Sequence, residues 1–198
     1  GKCDSLYTDQ STGITKMYVN PILWSDQSQI TGDSIKLLSN KKTEKLDSLK
    51  ILGNSFIIQK DSIDSEIFNQ IKGRNMFGKF IKNQLKTLLV KGNGEAVNFN
   101  RNDEGVLETI TKQFCSNIEF ELTDSEINQI KCLKMSDGKT YPPSMYPEND
   151  KRLKGFLWRE SEQPKKKKDI FKKEKKVDQN ISINQFTVKE KSDKKEIK

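Results

Sequence analysis

The chain has 198 residues, of which 32% are hydrophobic, 32% are charged and only 8% are aromatic. This length suits one domain of ordinary size together with some disordered polypeptide. The sequence contains no histidine, which excludes Ser-His-Asp and Cys-His catalytic groups and histidine-ligated zinc. No window approaches the ~18 consecutive apolar residues of a membrane-spanning helix, so a protein that crosses the membrane with helices is excluded as well.

The positive charge is concentrated at the C-terminus. The net charge is +8, but residues 164–198 contain 13 lysines and six acidic residues, which leaves 23 basic and 22 acidic residues in 1–163. A nearly neutral folded part argues against nucleic acid as a partner, although a basic tail can bind phosphates through counterion release. Because its composition buries too little apolar surface to become ordered, we expect 164–198 to be a disordered tail.

Short alternating apolar stretches run through 1–140, bounded by Gly, Asn, Asp, Ser and Thr. Alternation with a period of two is typical of strands that bury one face. No stretch in this segment sustains a long helical apolar stripe, so 1–140 is predicted to be an all-β domain. The stretches are Ile35-x-Leu37, Leu49-x-Ile51, Phe56-x-Ile58, Leu88-x-Val90, Val97-x-Phe99 and Ile118-x-Phe120-x-Leu122.

A repeat appears when the turns are aligned. Gln29-Ile-Thr-Gly32 resembles Gln70-Ile-Lys-Gly73, 41 residues later, and each copy is followed by a Gly-Asn pair, at Gly53-Asn54 and Gly92-Asn93. A period near 40 residues indicates stacked supersecondary units that bury their faces against one another. Gly and Asn tolerate positive φ, so both pairs are predicted to form sharp corners between strands.

The pattern changes at Tyr141-Pro-Pro143, because proline cannot donate to a strand ladder. We therefore expect the sheet to end before it, with 127–133 as its C-terminal edge strand. Residues 141–163 are predicted to form a proline-rich, aromatic capping segment in which Phe156 and Trp158 cover this open edge. The predicted organisation is thus a β domain over 1–140, the capping segment, and the tail over 164–198.

The sequence offers no constellation for catalysis. Its aspartates lie in turn-like contexts, where the carboxylate caps its own backbone. Gly92-Asn-Gly94 is not followed by a predicted helix, which argues against a phosphate-binding loop. The three cysteines lack CxxC spacing, as zinc sites usually require. We therefore predict a protein that is not an enzyme, with no cofactor and no metal.

A cross-strand disulfide between Cys115 and Cys132 is worth weighing, since both flank the predicted hairpin near Thr123. Ile118 and its alternating neighbours place even positions on the inner face, so Cys115 is predicted to point outward. Ile130 sets the inner face of the partner strand, so Cys132 is predicted to point inward. Opposite faces cannot be bridged without a bulge, and the disulfide is therefore not expected.

Several longer motifs resemble the OstA/LptA superfamily, which handles lipopolysaccharide in the bacterial periplasm, and its OstA-like branch from Bacteroidota in particular. The resemblance covers roughly residues 5–163, and its most specific part is the Tyr-Pro-Pro element followed by Arg-Leu-Lys-Gly-Phe. The motifs are Pro21-Ile-Leu-Trp24, Ile30-Thr-Gly-Asp33, Phe68-Asn-Gln-Ile-Lys-Gly73, Asp137-Gly-Lys-Thr-Tyr-Pro-Pro143 and Arg152-Leu-Lys-Gly-Phe-Leu-Trp158.

The resemblance implies an open, V-shaped β-jelly roll whose apolar inner face shields the acyl chains of lipid A. It implies a periplasmic bridge component, associated with the outer membrane, that passes lipopolysaccharide onward. The implied partners are like jelly-roll domains of the transport machinery, including its outer-membrane component, and further copies joined head to tail. It leaves open whether the first strands of a full jelly roll precede Gly1.

The candidate lipid-facing residues share the inner parity of the predicted strands. Alternation alone fits a closed sandwich core equally well, in which case the chain would be a structural or interaction subunit that never touches lipid. The candidates are Ile35, Leu37, Leu49, Ile51, Phe56, Ile58, Met76, Phe80, Leu88, Val90, Val97, Phe99, Ile118, Phe120 and Ile130.

Overall fold

A computed structural model describes residues 1–25, 27–123, 126–166 and 169. The chain divides into two compact units, 1–163 and 164–198. In the second unit, the carboxylate of Asp169 accepts hydrogen bonds from the backbone N–H groups of Lys165 and Lys166, at 3.1 and 2.8 Å. Most of the predicted disordered tail lies outside the described residues, so that expectation stays a prediction.

The first unit is built almost entirely of antiparallel strands, with three one-turn 3-10 helices near its end. The strands are β1 (Ser5–Asp9), β2 (Ile14–Tyr18), β3 (Ile22–Ser25), β4 (Ser28–Thr31), β5 (Ser34–Ser39), β6 (Leu46–Lys60), β7 (Phe68–Ile81), β8 (Gln84–Arg101), β9 (Leu107–Thr123), β10 (Glu126–Leu133) and β11 (Asp137–Tyr141), and the 3-10 helices are Pro143–Met145, Glu148–Asp150 and Glu160–Glu162. None of the helices in the described part of the chain has the length and apolar character needed to cross a membrane.

The strands form one sheet whose order is β1-β2-β5-β6-β7-β8-β9-β10. The β3–β4 hairpin pairs with the second half of β6. At the other edge, β10 pairs with the second half of β9 and β11 pairs with its first half. In the described strands β1 does not pair with β10, so the sheet is open. The predicted all-β, open jelly-roll fold is confirmed.

The two Gly-Asn pairs have the predicted positive φ, at 69° and 45° for Gly53 and Asn54 and at 82° and 52° for Gly92 and Asn93. They do not separate strands, however, because they lie inside the long strands β6 and β8 as bulges that shift the pairing register. The bulges are held alike, since the backbone N–H of each glycine donates to an asparagine side chain one strand away. The predicted corners are therefore kinks within continuous strands.

The C-terminal edge differs from the prediction. Residues 137–141 form β11, which continues the pairing with β9 beyond β10. Phe156 and Trp158 do not cover the edge strand β10. Their ring centres lie 5.3 Å from that of Phe68 at the start of β7, on the face of the sheet that carries the smaller core cluster. The sheet pairs further than expected because the prolines follow β11 rather than replace it.

Candidate functional site: the apolar interior

The fifteen candidate residues are divided between the two faces of the sheet, because neighbouring residues of a strand point to opposite faces and Ala96 belongs to the larger cluster whereas Val97 belongs to the smaller one. Twelve of them are at most 6% exposed, and Leu37, Phe80 and Ile130 are half-buried. They fall into two clusters at opposite ends of the long strands. Phe56, Ile58, Val97 and Phe99 belong to the smaller cluster, and the other eleven belong to the larger one. Phe56, Ile58, Val97 and Phe99 therefore do not share a face with the other eleven, and lipid contact by these side chains stays a prediction.

Register explains how the larger cluster is built, because its residues lie in straight rows across seven strands. Side chains directly opposite one another on the same face of a sheet pack together. The first row is Met17, Ile35, Ile51, Met76, Val90, Ile118 and Cys132, and the second is Thr15, Leu37, Leu49, Gly78, Leu88, Phe120 and Ile130.

Beyond these rows, the interior ends in a partly exposed apolar mouth. We call this the open end; it is the end at which β5 turns into β6 and β7 into β8. Half-buried apolar side chains pack against the larger cluster here, and each keeps part of its surface in solvent. Those at the open end are Leu37 of the second row and, beyond it, Phe80, Leu85, Leu122 and Ile127.

Lysines lie in two neighbouring turns at the open end. The turn between β5 and β6 carries Lys41, Lys42 and Lys45, which are exposed, and the neighbouring hairpin carries Lys82 and Lys86. Glu44 is the acidic residue of the first turn. An apolar mouth with a cationic rim suits an amphiphile with an anionic head, since the head can stay in water while apolar tails are buried.

At the opposite end of the long strands, the chain itself covers the smaller cluster. Residues 142–163, which we call the strap, follow β11 and cross the face of the sheet that carries Gln29 and Gln70. Tyr146 and Leu153 of the strap are 5% exposed and belong to the smaller core cluster, with Phe156 and Trp158 packed against it. Burial is the largest cause that raises the pKa of Tyr146, to about 12, while its hydroxyl donates to the carbonyl of Asp150.

Two buried glutamines hold the strap backbone. Gln70 of β7 donates from Nε2 to the carbonyl of Lys151 at 2.7 Å, and its Oε1 accepts from the backbone N–H of Leu153 at 2.8 Å. Gln29 of β4 repeats this pattern with the carbonyl of Leu157 and the N–H of Arg159, both at 2.7 Å. Each side-chain amide therefore bonds to the strap as a neighbouring strand would, which satisfies two polar groups at an otherwise apolar end.

Both glutamines lie in one register row of the sheet, which reads Gln29, Ile58, Gln70, Val97, Lys112. Lys112 also contacts the strap, with its Nζ 2.9 Å from the carboxylate of Asp150. The strap thus crosses this row from β9 to β4.

The far end of the strap reaches the N-terminus of the chain. The carboxylate of Glu162 lies 2.8 Å from Nζ of Lys2 and accepts two hydrogen bonds from Arg159. The hydrogen bonds from Arg159, then the one from Lys2, lower the pKa of Glu162 to about 2. These contacts fix the C-terminal end of the strap to the N-terminus of the chain.

Gln29 and Gln70 are absent from the candidate set, yet the sequence signal that could have found them was present. They are the first residues of the two repeat copies, 41 residues apart, and each is at most 1% exposed. A polar side chain at a buried position of both copies indicates a shared partner, because buried polar groups are almost always hydrogen-bonded. The candidate set was chosen from alternating apolar residues, so it did not include either glutamine.

The expectation about the cysteines is wrong, since Cys115 and Cys132 form a disulfide that joins β9 to β10. Cys115 is 4% exposed and points inward like Ile118. Strict alternation therefore resets between these two residues, opposite the bulge in β8 where the register shifts. Cys132 lies directly across from Ile118, so the sulfur atoms of Cys115 and Cys132 reach the same face. The Cα atoms of the two cysteines are 5.7 Å apart.

What this interior can do chemically is to remove apolar groups from water. Within the described residues, no group of three or more Cys, Asp or Glu side chains is arranged to hold a metal ion. Two surface clefts of about 310 and 420 Å³ flank the strap, the first lined by Trp24, Trp158 and Lys60 and the second by Leu107 and Arg152. The interior itself presents apolar side chains that remove apolar surface from water, at about 25 cal/mol per Å².

Comparisons with known proteins agree with the fold. A scan against protein-family models finds no match, and neither does a search of curated proteins. Among solved structures, the chain is similar to LptH from Pseudomonas aeruginosa, the LptA-homologous periplasmic component of the conserved lipopolysaccharide transport device. The match has a TM-score of 0.52 at 14% sequence identity and covers 71% of this chain and 93% of LptH. The chain therefore shares the open β-jelly-roll fold of LptH.

Proposed function

We propose that the chain is a periplasmic, lipopolysaccharide-binding bridge module. It shields the acyl chains of lipid A while lipopolysaccharide is carried toward the outer membrane. The observation that carries this proposal is the half-buried apolar mouth of the open end in a fold shared with LptH. The lysines around that mouth support it further, because they suit the anionic head of an amphiphile. We further propose that the chain is an OstA-like protein of the Bacteroidota type, because several of its motifs resemble that branch.

The proposal predicts where lipid should crosslink. A photoreactive phenylalanine analogue at Phe80, which packs against the interior, should capture lipid A in cells or from added lipopolysaccharide. Phe77 is a matched control on the same strand, because it lies on the outer face with Lys91 5.5 Å from its ring centre. We expect adducts at Phe80 and at Leu122 but not at Phe77, read by mass spectrometry. Equal labelling at Phe77 and Phe80, or no adduct at either mouth position, would contradict the proposal.

A structural or interaction subunit is the second candidate function. It is favoured by the burial of the candidate set, since twelve of its fifteen side chains are already at most 6% exposed. Acyl chains can enter such an interior only if its walls move apart or if they occupy the mouth alone. Native mass spectrometry of the purified protein separates the two candidates, because a structural subunit should carry no lipid.

We further propose that edge strands dock with like jelly-roll domains, including a second copy. An edge strand presents unpaired N–H and C=O groups to another chain. At the N-terminal edge, Leu6 and Tyr7 of β1 are 63% and 53% exposed, and at the other edge β10 pairs with β9 alone.

Leu6→Lys should abolish self-association in sedimentation experiments, since a lysine on an edge strand opposes pairing. Ile63→Lys is the matched control, because Ile63 is 64% exposed and lies in the loop between β6 and β7. Both variants should remain as stable as the parent. If Leu6→Lys associates as strongly as Ile63→Lys, β1 is not the docking edge.

A further inference from the structure

Three lysines lie side by side on the outer face of the sheet, which is the face turned away from the larger cluster in the half of the strands next to the open end. Lys16 of β2 lies directly opposite Lys36 of β5, which lies opposite Lys50 of β6. Each is next in sequence to a buried residue of the larger cluster, so its side chain points to the other face. We call these three residues the lysine row. Because neighbouring strands are about 4.8 Å apart, the row is roughly 10 Å long.

In the part of the chain that the structure describes, no carboxylate forms an ion pair with the lysine row. The same register continues through two apolar residues, so the carboxylate of Glu119 on β9 is three strands away from Lys50. At the edge of the sheet, the carboxylate of Asp9 accepts hydrogen bonds within its own turn. Like charges directly opposite one another destabilise a sheet, so the row carries a cost in folding free energy that an anionic partner would offset.

Two further lysines extend the positive charge on the same face. Lys79 lies two residues after Phe77 of β7, Lys91 lies two residues after Leu89 of β8, and both lysines are exposed. The turn 40–45, which joins β5 to β6, adds the lysines of the open end. Residues 1–163 contain 23 basic and 22 acidic residues, so this concentration of charge belongs to one surface and not to the whole unit.

Aromatic side chains lie among these lysines. Nζ of Lys16 is 5.5 Å from the ring centre of Tyr7, and Nζ of Lys91 is 5.5 Å from that of Phe77. Tyr18, two residues from Lys16 on the same strand, is 39% exposed. Lysine and tyrosine both carry a polar tip on an apolar stem or ring, which suits the headgroup region of a bilayer. Anionic headgroups also attract lysines placed close to them.

The shape of this surface favours a membrane over a compact ligand. It is the face of a sheet, and neither of the two clefts beside the strap includes its residues. An extended row of ammonium groups meets several headgroups at once, whereas a single phosphate engages only one or two of them. A nucleic acid gains affinity by stacking bases on aromatic rings, but the rings of Tyr7 and Phe77 already lie against lysines.

We propose that the lysine row docks the chain on an anionic phospholipid membrane. The ammonium groups of the row contact lipid phosphates, and Tyr18 enters the headgroup region. This inference goes beyond the lipid-carrier function, because it concerns the face turned away from the interior and requires no lipid inside. Since the turn 40–45 joins two strands of the row, docking by this face holds the open end beside the bilayer.

Binding of the full chain to vesicles tests the proposal. A row variant that combines Lys16→Gln, Lys36→Gln and Lys50→Gln keeps the length of the side chains and removes their charge. It should bind vesicles of phosphatidylcholine and phosphatidylglycerol about a hundredfold more weakly than the parent, because each lysine at an anionic surface contributes about fivefold. Neither protein should bind vesicles of phosphatidylcholine alone.

A control variant removes the same charge from exposed lysines at the C-terminal edge of the sheet and on the strap, by Lys134→Gln, Lys139→Gln and Lys154→Gln. It should bind nearly as tightly as the parent, and residues 164–198 are identical in all three proteins. Equal losses in the two variants would mean that overall charge attracts the vesicles, which would overturn the proposal. A row variant that keeps its vesicle affinity and loses affinity for a single-stranded oligonucleotide would overturn it too.

Lys36→Glu separates docking from folding. Its carboxylate lies between Lys16 and Lys50, and opposite charges across strands stabilise a sheet. We therefore expect the urea midpoint to rise while the affinity for anionic vesicles falls. A lower midpoint would assign the lysine row to folding and would remove its docking role.

A photoreactive phenylalanine analogue locates the contact. At Tyr18 it should capture phospholipid from the anionic vesicles, whereas at Phe114, which is 40% exposed, it should not. Capture at Phe114 as strong as at Tyr18 would show that the chain does not dock by this face. The vesicles contain no lipopolysaccharide, so such a failure leaves the proposed carrier function standing.

Discussion

Replacing Phe120 by alanine is expected to lower the free energy of unfolding by about 3–5 kcal/mol, the usual cost of deleting a buried phenyl ring. Phe120 is fully buried in β9, and in the second interior row it lies between Leu88 of β8 and Ile130 of β10. The cavity left behind cannot collapse easily, because strand backbones fix the spacing of the row. Urea titration followed by circular dichroism gives the loss directly.

Phe114→Ala provides the matched control on the same strand. Its ring is 40% exposed and lies 5.6 Å from Nζ of Lys112, so its removal should cost under ~1 kcal/mol, as for most partly exposed positions. Equal losses at Phe114 and Phe120 would show that the interior is loosely packed. That result would also favour an interior that yields easily to a ligand.

Loss of the disulfide is the second large effect. Cys132→Ser should lower the free energy of unfolding by about 3 kcal/mol, the value expected from the entropy of closing a loop of this size; the two cysteines are 17 residues apart in sequence. The bond holds β10 on β9 at the C-terminal edge of the sheet. The same loss should appear when the parent protein is unfolded in the presence of a reductant.

Cys3→Ser controls for the chemistry of the substitution, since Cys3 is a free thiol near the N-terminus. It should change the free energy of unfolding by well under ~1 kcal/mol relative to the parent protein, as removal of a single half-buried sulfur does. Adding reductant to Cys132→Ser should have no further effect. A parent protein insensitive to reductant would mean that Cys115 and Cys132 are not bonded in solution.

The disulfide also bears on where edge pairing can occur. Because it joins β10 to the strand beside it, the terminal strand cannot peel away to pair elsewhere. A pre-ordered edge loses less entropy when another chain adds a strand to it. The disulfide variant should therefore weaken association at this edge, independently of Leu6 at the other.

Local sequence was sufficient for the fold class and for the faces of the strands on the open-end side of the bulges. Alternation placed Ile35, Ile51, Val90 and Ile118 on one face, and each is fully buried. A period of two is a property of the extended backbone itself, so it can be read without knowing which strands pair. The Gly-Asn pairs likewise gave the positive φ of the bulges, because that preference belongs to the residues.

Only the tertiary structure decided what depends on counting across strands. A bulge adds one residue and resets parity, so the inward direction of Cys115 followed from the register shift opposite it in β8 and not from its own neighbours. The roles of Gln29 and Gln70 depended on the strap, more than 80 residues away from either in sequence. Periodicity determines which side of a strand a residue takes, whereas the partner that meets it there is set by long-range contacts that local sequence does not encode.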